Sequence, residues 1–104
     1  MKIVKANSFF MKFKGLMFKK NVNYGMLFYK TNMIHTFFMR INIDIYGLDD
    51  NLIIIEKRKN IKPCSVVVLK NSKNTLEIPS SLDYEMNIGD RIKFARIYRV
   101  MKGA

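Results

Sequence analysis

Residues 34–48 read Ile-His-Thr-Phe-Phe-Met-Arg-Ile-Asn-Ile-Asp-Ile-Tyr-Gly-Leu, and this stretch restricts the fold more than any other. It predicts a long buried strand around which the other elements are arranged. If the strand runs unbroken, its period of two puts His35, Phe37, Met39, Ile41, Ile43 and Ile45 on one face and Thr36, Phe38, Arg40, Asn42, Asp44 and Tyr46 on the other. The second face carries the chemistry. It sets the Arg40 guanidinium four residues from the Asp44 carboxylate, with Phe38 and Tyr46 as an aromatic wall, an arrangement suited to a structural ion pair or to one side of an anion site.

The flanking segments are short. Lys2–Ala6 predicts an edge strand in which lysines discourage further pairing. Phe9, Phe10, Phe13, Leu16 and Met17 fall near one face of a helix that begins at Ser8 and ends near Gly15. Residues 26–29 predict a core strand, and Asp49, Asp50 and Asn51 a tight turn with Asn51 in the left-handed conformation. Residues 52–56 return as the partner strand, and Lys57, Arg58 and Lys59 form its solvated exit. Pro63 and Cys64 sit in a connection, with Cys64 as a small packed residue. Residues 66–69 and 75–78 predict a hairpin, Ser80 or Ser81 caps a second short helix reaching Met86, and a last strand spans 91–100 with a bulge near Ala95 or Arg96. Connections this short favour antiparallel pairing. The expected fold is mainly β (α+β): a compact, mostly antiparallel small barrel or sandwich with two short helices, in a single domain over residues 1–104.

Composition narrows the function classes. A chain of 104 residues supports one core, burying roughly 65% of the unfolded surface. Cys64 has no cysteine to pair with, and residues 1–6 are too polar for a signal core, so the expected setting is cytoplasmic. No apolar run approaches the roughly 18 residues of a membrane span. The net charge is +11, with fourteen lysines against five arginines. A basic surface attracts phosphate, but abundant Lys, Asn and Ile together also follow from an A/T-rich coding bias. One His and one Cys do not make a zinc site. The glycines at 15, 25, 47, 89 and 103 form no phosphate-cradling loop, and no serine is set on a sharp turn beside His35. No catalytic residue, metal ligand or cofactor is assigned.

Several motifs occur together in order: Gly15-Leu16-Met17-Phe18, Gly25-Met26-Leu27-Phe28, His35-Thr36-Phe37-Phe38-Met39-Arg40, Ile43-Asp44, Leu76-Glu77-Ile78-Pro79 and Ile88-Gly89-Asp90. Over roughly residues 6–94 the chain resembles domain-of-unknown-function family 192. The resemblance implies a small, mostly β domain with short helices and supplies no activity. Its recurring polar positions match His35, Arg40 and Asp44, and its recurring glycines match Gly15, Gly25 and Gly89. Cys64 stands where a Trp often follows the Pro in similar sequences, which removes one wall of any aromatic pocket.

The expected function is that of a non-enzymatic accessory domain binding a protein or small ligand around residues 34–48, through His35, Phe38, Arg40, Asp44 and Tyr46. One alternative is an enzyme using His35 with Asp44, which needs both in one concave pocket. The other is a weak nucleic-acid or polyanion binder, which needs a continuous basic stripe with exposed aromatics.

Overall fold

A computed structural model describes residues 2–6, 16–17, 19–92 and 97–101, the last five as backbone alone. Eight strands follow in chain order: β1 (Lys2–Ala6), β2 (Tyr24–Phe28), β3 (Met33–His35), β4 (Ile43–Leu48), β5 (Ile54–Ile61), β6 (Val66–Val68), β7 (Asn74–Pro79) and β8 (Ile97–Met101). Six of them make one open sheet in the order β5-β4-β7-β2-β1-β8, and β3 pairs with β6 in a separate two-stranded sheet. The fold is mainly β as expected, and the sheets do not close into a barrel.

Pairing is antiparallel for β2–β7, β4–β5, β4–β7 and β3–β6, and parallel for β1–β2 and β1–β8. A parallel pair needs a long crossover, and residues 7–23 supply its length between β1 and β2. The expectation of an edge strand at Lys2–Ala6 is therefore corrected. Ile3, Val4 and Ala6 are buried between two neighbours.

Alternation sorts the large sheet into two apolar layers. Val4, Ala6, Met26, Phe28, Ile43 and Ile45 pack on one face with Ile34, Met39 and Leu69, so the β3–β6 sheet covers this face. Ile3, Leu27, Tyr46, Leu48, Leu76 and Ile78 fill the other, where Leu82, Met86 and Ile92 close over them. Gly47 permits a close approach on the first face, since a Cβ there would lie 2.9 Å from the Cβ of Ser72.

The single strand expected over residues 34–48 is two strands in two sheets. Phe38 breaks it with a φ of 61°, while the Met39 N–H donates to the Thr36 carbonyl at 3.2 Å in a turn. The Thr36 hydroxyl, fully buried, donates to the Lys62 carbonyl at 2.8 Å and accepts from the Ser65 N–H at 2.7 Å. These bonds hold β3 to β6 and free Met39 to turn back into the core. A bulky residue with positive φ has no signature in an apolar run.

Other expectations are corrected too. Lys57, Arg58 and Lys59 lie inside β5 rather than beyond its end. Residues 66–69 and 75–78 form no hairpin, because β6 joins β3 while β7 lies between β4 and β2. In the β4–β5 turn the left-handed residue is Leu52, not Asn51, and the Asp49 carboxylate accepts from the N–H groups of Asn51 and Ile53. The second helix is one 3₁₀ turn, Ser80–Leu82, without a side-chain cap. The helix expected from Ser8 to Gly15 and the bulge near Ala95 or Arg96 lie outside the described residues. Arg91 bridges Ile53 and does not begin the last strand. Cys64 is exposed, with a φ of 67°.

Candidate functional site

Asp44 and Tyr46 project from β4 onto the face covered by Leu82 and Met86. Asn60 interrupts the facing strand with a φ of 55°, and the register of β5 shifts opposite Asp44. The bulge points the Asn60 N–H at the Asp44 carboxylate, 2.8 Å away. The Ser80 hydroxyl donates to the same oxygen at 2.7 Å, and Lys59 Nζ lies 2.9 Å from the other. Burial alone would push the Asp44 carboxyl up, but bonds from Lys59, Asn60 and Ser80, with the Lys59 charge, hold it below its ordinary value. Desolvation works against the Lys59 ammonium in turn, and Asp44 and Tyr46 outweigh it and raise its pKa. Lys59 also donates to the Tyr46 hydroxyl at 3.3 Å, and that hydroxyl donates to the Tyr84 carbonyl at 3.2 Å. Outside, Glu85 bridges Lys57 and Lys59 at 3.2 and 3.3 Å.

The expected Arg40–Asp44 pair is therefore replaced by Lys59–Asp44. With the strand broken at Phe38, Arg40 no longer shares a pleat with Asp44, and it is exposed. His35 belongs to the β3–β6 layer, whereas Asp44 faces the opposite side of the large sheet. These positions do not bring His35 and Asp44 into the one pocket that an enzyme using both requires. His35 Nδ1 accepts from the Phe37 N–H at 3.2 Å, and the two rings stack at 5.3 Å. The five expected site residues thus divide into a buried knot of Asp44 and Tyr46 and an outer group of His35, Phe38 and Arg40.

That outer group belongs to a larger surface. Ile34 and Val67 point into the core, so their neighbours Met33, His35, Val66 and Val68 point outward. Met33, Phe37, Phe38, Val66 and Val68 are between 43% and 64% exposed. Single exposed apolar residues are ordinary, but Met33, Val66 and Val68 share one face of the β3–β6 sheet, and Phe37 stacks on His35 of the same face. The segments that build it contain no acid: residues 29–42 carry Lys30 and Arg40, and residues 62–73 carry Lys62, Lys70 and Lys73. Beside the end of the ladder a cleft of about 520 Å³ gathers Lys30, Lys70 and Lys73 together with Asp50. A second cleft of about 540 Å³ lies by the Asp44 knot and is lined chiefly by Asn and Ser. Sequence reasoning missed Met33, Phe37, Val66 and Val68. The available signal was a valine triplet in a lysine-rich stretch with no carboxylate.

Among the described residues no three His, Cys, Asp or Glu side chains are grouped to hold a metal ion, and no helix is long and apolar enough to cross a membrane.

The family model described as DUF192, Uncharacterized ACR, matches residues 1–94. A UPF0127 protein from Thermococcus sibiricus is 36% identical over 96 residues, covering 84% of this chain and 62% of the relative. The chain thus spans about three fifths of that relative's length. Among solved structures, a protein of unknown function from Novosphingobium aromaticivorans superposes with a TM-score of 0.71 at 20% identity, covering 84% of this chain and 70% of that one. A candidate transcription regulator from Sinorhizobium meliloti superposes with a TM-score of 0.72 at 20% identity, covering 85% and 78%. At that identity the likeness shows the fold.

Proposed function

The chain belongs to the DUF192 family of uncharacterised proteins, and on that premise we propose that it is a non-enzymatic binding domain whose β3–β6 face receives a partner protein. The carrying observation is the outward apolar face of Met33, Val66, Val68, Phe37 and Phe38, built from segments that hold cations and no carboxylate. Apolar area at the centre with charge at the margin is the anatomy of a protein interface. The charge also selects the partner, which carries apolar side chains among carboxylates and is steered in by the positive field. His35 contributes through its stack with Phe37, and Arg40 lies two residues beyond Phe38. The Asp44 knot keeps the β4–β5 pair in shape and touches no partner.

A photoreactive phenylalanine analogue at position 38, introduced in the native host, tests the reading against the same analogue at Tyr84, which is exposed elsewhere. A discrete protein adduct from position 38 and none from position 84 is expected. Equal labelling from both, or none from position 38, overturns the proposal. A nuclease-sensitive adduct transfers the function to the polyanion alternative, which the exposed Phe37 and Phe38 beside cations would serve by stacking bases.

A further inference from the structure

The ladder between β3 and β6 has a fixed hydrogen-bonding parity. The Thr36 N–H donates to the Ser65 carbonyl at 2.8 Å and the Leu69 N–H to the Asn32 carbonyl at 2.7 Å, while Ile34 faces Val67 midway between them. In an antiparallel pair bonded and non-bonded positions alternate. Val66 and Val68 therefore turn their N–H and C=O groups away from β3, along the outer edge of β6. Among the described residues nothing pairs with those groups, and both residues are more than half exposed, at 56% and 54%. An apolar edge left open is what proteins ordinarily avoid by placing charge or Pro within it. Here the strand is Val-Val-Val, and the nearest charges are Lys62 and Lys70 outside it.

Resting on the docking reading above, we propose that the partner binds by adding a β-strand: an extended acidic segment pairs with the outer edge of β6 through the peptide groups of Val66 and Val68. Main-chain bonds supply affinity in this mode and alternate side chains supply specificity. One set of the incoming side chains continues the face of Met33, Val66 and Val68, and so is apolar. Carboxylates on the segment meet Lys62 at one end and Lys70, with Lys30 and Lys73 in the cleft, at the other. The same lysines repel a second copy of a chain with charge +11, which argues against self-pairing at this edge.

The probe is an acetylated, amidated peptide alternating Glu and Val, followed by amide exchange and methyl spectra of the full chain. Slowing of exchange at Val66 and Val68 by about tenfold, a change of about 1.4 kcal/mol and so within the range of one net hydrogen bond, is the expected result. Two backbone N-methylated peptides, one modified at the Val nitrogens and one at the Glu nitrogens, should then differ, one binding and one not. Val68→Pro removes one outward N–H, and with an unchanged melting curve it should weaken binding by at least about tenfold. If the methyl groups of Met33, Val66 and Val68 respond while their amides stay unprotected and both methylated peptides bind, the face docks a partner and strand addition is overturned. If nothing on β3 or β6 responds, both readings fall.

Discussion

Asp44 fastens three elements at once: its own strand, the β5 bulge at Asn60 and the 3₁₀ turn at Ser80. Truncation would take the acceptor from the Asn60 N–H and the Ser80 hydroxyl and leave Lys59 with Tyr46 and Glu85 alone, so Asp44→Ala should lower unfolding free energy by about 1 to 3 kcal/mol in urea denaturation. The carboxyl titrates below its ordinary 3.8 in the folded state. Its contribution is therefore complete above that value and is lost as pH falls through the lowered one. The gap between wild type and Asp44→Asn should narrow in acid, and a gap independent of pH would refute the assignment. Glu77 behaves oppositely. It sits in the central strand, 4% exposed, opposite Met26 and Ile45, and burial pushes its carboxyl up to about 8. From an unfolded value of 4.5 to about 8 the folded chain holds a proton that the unfolded chain has released. Stability then falls with rising pH by up to roughly 1.4 kcal/mol per pH unit. Glu77→Gln should flatten that slope, and an unchanged slope would mean that another group is titrating.

At the scale of elements, the strands legible in the sequence are those whose apolar pattern is local. β2, β4 and β7 fall where runs of Met, Leu, Ile and Tyr lie between polar turns. The break at Phe38 was hidden because apolar residues continue through it, and its causes are a backbone angle and the long-range bonds of Thr36. The sequence ends β5 too early because Lys57 and Lys59 look like a solvated exit, although Lys57 pairs with Glu85 and Lys59 with both Asp44 and Glu85. The parallel partners of β1 were invisible for want of any short-range signal. The expected grouping of His35, Phe38 and Arg40 with Asp44 does not hold, because His35 lies in the β3–β6 layer and Asp44 on the opposite side of the large sheet. Phe38 also offers a separation of function from stability. A left-handed phenylalanine is strained and Asn tolerates that conformation, so Phe38→Asn should leave stability unchanged or raise it by up to about 1 kcal/mol while weakening the Glu-Val peptide. A loss of stability comparable to a core deletion would show that Phe38 is held for packing.

For the whole molecule, nineteen cations against eight carboxylates act over dimensions of 31 × 26 × 24 Å. In roughly 0.01 M salt the screening length is about 30 Å, so every cation repels nearly every other, and in roughly 0.15 M salt it shortens to about 8 Å. This self-repulsion opposes the compact state, most of all around the acid-free segments 29–42 and 62–73. The ion pairs that salt would weaken are few among the described residues, and the Asp44 end of the Lys59 pair is buried. Release of repulsion should therefore win. Raising salt over that range should increase the unfolding free energy by on the order of 1 kcal/mol, the scale of a few exposed charge interactions. The same salt should weaken the acidic Glu-Val peptide, because its attraction to Lys30, Lys62 and Lys70 is screened while its apolar contacts are not. One salt series on one sample, followed by thermal unfolding and by peptide titration, thus carries two opposed slopes. If stability falls together with affinity, the positive charge is tied up in attractive pairs and does not select an acidic partner. If affinity ignores salt while stability rises, the β3–β6 face binds through its apolar side chains alone.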